Sequence, residues 1–140
     1  MTDLTIIGTG NMARGLAARA VAAGRSVQLL AHEDKAKADS LAAELDGKIT
    51  TGVLGAPLTG ALVIPAVYFD ASRAIVEQYG DALTGKVYVD ITNPVDFATF
   101  DSLSVPADSS AAEELQKATG AKVVKAFNTT FAATLSDGTV

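Results

Sequence analysis

The sequence predicts an α/β fold in which a parallel sheet is wound by helices on both faces. Three observations carry that expectation. Strand and helix signals alternate along the chain, a glycine-rich turn joins the first strand directly to the first helix, and some apolar runs are continuous rather than alternating. The chain has 140 residues, 49% of them hydrophobic and only 19% charged, so one well-packed domain is expected.

Each element can be justified in order. Leu4-Thr5-Ile6-Ile7 is a β-rich run that stops at Gly8. Asn11 to Ala23 reads as a helix, with Met12, Leu16 and Ala20 on one face and Gly24 as the residue that ends it. Val27 to Ala31 is the second strand. A helix over Asp34 to Leu45 follows, rich in Ala, Lys and Glu and closed by Asp46-Gly47. Lys48-Ile49-Thr50 is a weak third strand, and Ala61-Leu62-Val63-Ile64 a fourth, apolar enough to be covered on both faces. Ala71 to Tyr79 reads as a helix and Lys86 to Asp90 as the fifth strand. Asp96 to Asp108 has the composition of a loop. Ser109 or Ser110 then caps a helix through Ala118, ended by Gly120, and Ala121 to Phe127 forms the sixth strand. The strands are expected in the order 3-2-1-4-5-6.

Composition removes several classes of function. A formal charge of −5 argues against nucleic acid or an anionic membrane as partner. Without cysteine there are no disulfides, thiolate nucleophiles or Cys-based zinc sites. The N-terminal residues lack the pattern of a signal peptide, and no apolar run is long enough to span a bilayer. A soluble cytoplasmic protein is expected, with no metal site.

The strongest motif is Gly8-Thr9-Gly10-Asn11-Met12-Ala13, a G-x-G-x-x-A. Such a string gains meaning from its place, after a strand and at the start of an amphipathic helix. Gly8 permits the tight turn, Gly10 lets the backbone approach phosphates, and Ala13 lets the helix pack close to the strand. Free N–H groups and the helix dipole then hold a pyrophosphate. This is the fingerprint of a Rossmann dinucleotide-binding domain.

Which dinucleotide is bound depends on the end of the second strand. NAD-preferring domains place an acid there, roughly 20 residues after the glycines. If Ala31 holds that position, nothing repels a 2′-phosphate, and His32 could stack on adenine or donate to the phosphate. If the strand runs two residues further, Glu33 would favour NAD. A solvated His32 without a role is the competing reading. The balance favours NADP.

Ile6 to Ala13, Asp90-Ile91-Thr92-Asn93-Pro94 and Val124-Lys125-Ala126-Phe127-Asn128-Thr129 together resemble the NADPH-dependent coenzyme F420 reductases. These enzymes move hydride between NADP and a deazaflavin coenzyme. The resemblance implies that Gly8 to Ala13 hold the pyrophosphate. Ala31 and His32 stand where the family has Ser-Arg for the 2′-phosphate. Ala66-Val67-Tyr68-Phe69 stands for the family's Ala-Val-Pro-Tyr, with the backbone of Ala66 and Val67 beside the nicotinamide ribose. Asn93 and Pro94 would sit at the nicotinamide end, as would Ala126, Phe127 and Asn128.

Chain order supports the same placement, because Gly8, Val67, Asn93 and Asn128 each lie just past a predicted strand end. Ligands of open α/β sheets bind there. Asn-Pro is also a common turn former, and Lys125 reads as a solvated edge residue. Hydride transfer needs positioning and exclusion of water more than a protein acid, so no catalytic side chain is named. Asp90 is expected to end its strand and order the loop that follows.

The resemblance also implies a C-terminal region of several tens of residues that completes the acceptor pocket. With the chain ending at Val140, residues 1–140 are expected to be the dinucleotide-binding domain alone. Phe131 to Leu135 would begin the helix leading into the missing or shortened region. Apolar surface left uncovered would favour a homodimer. Three functions stay open: an oxidoreductase using a deazaflavin, flavin or other small-molecule acceptor, a non-catalytic dinucleotide sensor, and a dehydrogenase of a small metabolite.

Overall fold

The computed structural model describes residues 2–96, 98–99 and 102–138. Six strands form one parallel sheet: β1 (Thr2–Ile7), β2 (Val27–Ala31), β3 (Ile49–Val53), β4 (Gly60–Pro65), β5 (Val87–Asp90) and β6 (Lys122–Lys125). Their order is β3-β2-β1-β4-β5-β6, as the alternation of elements predicts. The helices are α1 (Asn11–Ala22), α2 (Lys35–Glu44), α3 (Phe69–Tyr79), α4 (Ala111–Ala118) and α5 (Ala132–Asp137). A 3-10 turn over Gly80–Leu83 joins α3 to β5.

Helices α1 and α2 cover one face of the sheet, where Leu16, Ala17, Ala38 and Leu41 pack on Leu4, Ile6, Val27 and Leu29. The other face carries α3 and α4, with Ile75, Val76 and Leu115 against Ile7, Leu30, Val63 and Tyr88. All five residues of β2 are buried, the signature of a strand covered on both sides.

The helix ends follow local chemistry. The Asp34 carboxylate accepts from the Ala36 N–H to start α2. Ser110 accepts from the Glu113 N–H to start α4, which settles the choice between the two serines. The Ser109 hydroxyl and the Lys117 ammonium both donate to Glu114 and hold its carboxyl below the usual range.

Some boundaries differ from expectation. The third strand runs from Ile49 to Val53 rather than over Lys48 to Thr50, because β2 offers a partner as far as Ala31, opposite Val53. Helix α3 begins at Phe69, since the Ser72 N–H already bonds the Tyr68 carbonyl at 2.9 Å. The sixth strand is shorter than Ala121 to Phe127. It ends because Phe127 adopts φ 61°, which no extended strand allows.

The fourth strand is not covered along its whole length. Leu62, in register with Leu4 and Val87, is exposed, as is Val124 on β6. On this side α1 and α2 reach β1 to β3, and α5 lies against α1, where a β-carbon on Gly15 would come within 2.8 Å of the Leu135 Cβ.

Tyr88 ties β5 to α3. Its buried hydroxyl lies 2.8 Å from the Ser72 Oγ and donates to the Ser72 carbonyl at 3.1 Å, and desolvation pushes its pKa well above the ordinary value. Tyr88→Phe is expected to cost about 1–2 kcal/mol, because the Ser72 groups lose their partner without access to water. Urea unfolding of the two proteins would measure it.

Among the described residues no helix is long and apolar enough to cross a membrane.

Candidate functional site

The carboxyl ends of the strands meet at one edge of the sheet, and the glycine turn lies at their centre. Gly8 sits at φ 118°, its N–H bonded to the Leu30 carbonyl at 2.8 Å. A β-carbon there would lie 2.8 Å from the Ala66 carbonyl oxygen, so the turn packs directly on the backbone after β4. Gly10 is the N-cap of α1, with an ordinary extended backbone at φ −79°.

The start of α1 differs from the starts of α2 and α4. It has no side-chain cap, where Asp34 and Ser110 cap those two, and a β-carbon on Gly10 would meet nothing within 4 Å. Helix N-termini normally find an acceptor for their free N–H groups. Here they face open space, which suits an anion held by backbone alone. Ala13 points the other way and is fully buried, consistent with close packing of helix on sheet.

A cavity of about 660 Å³ opens from this point. It is lined by Gly10, Asn11 and Met12 on one side, Ala66, Val67 and Tyr68 from the β4 tip, and Thr92 and Asn93 from the β5 tip. A second cavity of about 690 Å³ shares Tyr68 and Asn93 and continues past Asp70 and Asp96. The N–H of Ala66 bonds the Ile7 carbonyl at 2.7 Å, which keeps the β4 tip level with the glycine turn.

The β5 and β6 tips are joined to each other. Asn93 donates its Nδ2 to the Asn128 carbonyl at 2.8 Å, and Asn128 donates its own Nδ2 to the Asn93 Oδ1 at 3.3 Å. An amide has two donors and two lone pairs, so Asn93 keeps capacity for a ligand after both bonds. Asp90 orders its loop as expected. Its fully buried carboxylate accepts from the Thr92 N–H at 2.9 Å and the Thr92 hydroxyl at 2.7 Å.

The structure thus gathers Gly10, Asn11, Met12, Ala66, Val67 and Asn93 around one cleft. Thr9 faces a third cavity of about 410 Å³, beside Arg14, Asp34 and Lys37. Phe127 and Asn128 line neither of the two main cavities, Asn128 being bonded to Asn93, and the Pro94 carbonyl accepts from Ser104. Ala31 ends its strand and its side chain is buried in the core, so strand β2 does not run on to Glu33. His32 and Glu33 are both exposed, and the imidazole Nε2 lies 3.7 Å from the Glu33 carboxylate.

Two residues take roles that the sequence alone did not give them. Tyr68 lines both main cavities, although its position matters by sequence only as a replaced proline. Lys125 lies exposed on the edge strand, as its sequence suggests, but its side chain also reaches a buried partner. Its ammonium donates to Asp90 at 3.0 Å and to the Thr92 carbonyl, because β6 lies beside β5 and brings the two side chains together. Among the described residues no group of His, Asp and Glu could hold a metal ion.

Comparison with known proteins bears on this site. No curated protein matches the chain. A hypothetical protein from Sinorhizobium meliloti is 33% identical, with a TM-score of 0.82 over 97% of this chain and 66% of its own. A protein from an Arthrobacter species, described provisionally as an F420-dependent NADP reductase, is 26% identical, with the same TM-score over 96% of this chain and 66% of its own. An imine reductase from Bacillus cereus is 25% identical, with a TM-score of 0.61 over 89% of this chain and 40% of its own. The chain therefore spans about two thirds of the length of the first two. The sequence profile of the coenzyme F420-dependent NADP oxidoreductases matches residues 3–94, a stretch that holds the glycine turn, the β4 tip and the Asn93 loop. This chain belongs to that family.

Proposed function

We propose that the chain binds NADP(H) across the carboxyl edge of the sheet and takes part in hydride transfer to a deazaflavin- or flavin-type acceptor. The observation that carries this reading is the bare start of α1, opening at Gly10 onto a cleft of about 660 Å³ that ends at Asn93. In that pose the N–H groups of the first turn hold the pyrophosphate. The backbone of Ala66 and Val67 flanks the ribose, and the Asn93 amide faces the nicotinamide end. Bound nicotinamide would supply the hydride. The protein's part is to hold the ring at a fixed distance from the acceptor and to keep water away.

The second cavity, beyond Tyr68 and Asn93, is the natural place for the acceptor, since both residues face both spaces. At the adenine end β2 finishes at Ala31 with no acid in its last position, and Glu33 and Asp34 follow two and three residues later. That strand end and the matching profile, which is that of NADP oxidoreductases, together favour a 2′-phosphate over a bare ribose. His32 is the exposed side chain next to it.

Calorimetric titration with NADPH and separately with NADH tests the reading. Tighter binding of NADPH is expected. His32→Ala should weaken NADPH by about twofold to fivefold, the worth of one solvent-screened contact of up to about 1 kcal/mol at an exposed site, and leave NADH unchanged. Absence of binding by either dinucleotide would overturn the assignment. NADPH oxidation in the presence of coenzyme F420, or of a flavin, then tests the acceptor.

A further inference from the structure

The Asp90 carboxylate lies fully buried beneath the loop that carries Asn93. One oxygen accepts from the N–H and hydroxyl of Thr92, and the other accepts from the Lys125 ammonium at 3.0 Å. The same ammonium donates to the Thr92 carbonyl. Thr92 is thus held at both ends of its backbone, its N–H by Asp90 and its carbonyl by Lys125. The next residue is Asn93, whose side chain faces both cavities and is bonded to Asn128, three residues beyond Lys125.

Two links therefore join the tip of β5 to that of β6, one ionic and buried at its Asp90 end, the other exposed and amide to amide. A buried carboxylate needs a cation only for its own sake if nothing else depends on it. Here the cation also bonds the one carbonyl that sets the direction of the chain into Asn93.

We propose that Lys125 is a positioning residue for the nicotinamide end of the cleft, acting through Asp90 and Thr92 to fix the Asn93 amide. The outermost strand of the sheet thereby takes part in ligand recognition without touching the ligand. This rests on the reading of the crevice as an NADP(H) site, and extends it to a residue that lies outside the cleft wall.

The test compares NADPH with adenosine 2′,5′-bisphosphate, which carries the adenine half of the cofactor and cannot reach Asn93. Both would be titrated calorimetrically against the wild type, Lys125→Arg, Lys125→Met, and a double variant with Lys125→Met and Asp90→Asn. The double variant leaves no unpaired buried charge, so it serves if Lys125→Met does not fold. Loss of the positioning is expected to weaken NADPH about tenfold in the Met-containing variants, as for the loss of about one good hydrogen bond. Binding of the bisphosphate should be unchanged, and Lys125→Arg should retain most of the NADPH affinity. Wild-type NADPH affinity in the double variant overturns the proposal, and so does parallel weakening of both ligands, which would mark a general loss of structure. If the wild type binds neither ligand, the proposed function itself fails, and this inference with it.

Discussion

Replacing Gly10 by alanine is expected to leave stability within about 0.5 kcal/mol of the wild type and to weaken NADPH binding about a hundredfold. Gly10 has a backbone open to any residue, and an added β-carbon would meet no protein atom within 4 Å. Alanine is a poorer N-cap than glycine, but it also lowers the entropy of the unfolded chain, and these effects oppose each other. The added methyl would occupy the space that the pyrophosphate needs to reach the N–H groups of the first turn. Hydrogen bonds to a charged group contribute about 1.5–3 kcal/mol each, so losing one or two gives the stated factor. A thermal scan beside a calorimetric titration checks both halves. Unchanged affinity in a well-folded Gly10→Ala variant would move the phosphate elsewhere.

Gly8→Ala should do the opposite and damage the fold itself, by about 3 kcal/mol. The residue sits at φ 118°, where L residues are rarely found, and its β-carbon would press within 2.8 Å of a backbone oxygen that has little freedom to move. For a chain of this size the melting temperature would fall by about 10 °C. Urea unfolding would give the free energy directly, and a loss below about 1 kcal/mol would mean that the turn can relax. Two glycines two residues apart thus separate the roles of one motif, folding at the first and binding at the second.

The glycine turn was legible in the sequence because its meaning is local: a strand, a tight turn and a helix within thirteen residues. The strand order followed from the alternation of elements together with the right-handed crossover rule. The start of α4 was local to within one residue, Ser109 or Ser110, and the structure chose Ser110. What escaped was set by distance in sequence. Lys125 looks solvated when read on β6 alone, and only the pairing of β5 with β6 brings it to Asp90. Tyr68 gains its place in two cavities from the loop after β5, which the sequence describes only as irregular. The end of β6 depends on the backbone of Phe127, a residue whose composition argues for strand and whose φ of 61° does not. Ala31 was considered as a ligand contact from its position, but its side chain turns into the core.

The placement of β1 has a consequence for how the chain reaches its fold. One edge of this strand is completed by β2, the next strand in sequence. The other waits for β4, and the Gly60 N–H that bonds the Thr5 hydroxyl comes from 55 residues away. A β-carbon on Gly60 would fall within 2.4 Å of the Thr5 nitrogen, so this late pairing is also among the tightest backbone approaches in the sheet. Nascent chain that has made the first hairpin-free unit, β1 to β3, therefore carries an apolar central strand with one open side. Non-local parallel pairings of this kind form slowly, and unpaired edges recruit other chains while they last. The strand that anchors the finished sheet is, until Gly60 arrives, its most aggregation-prone edge.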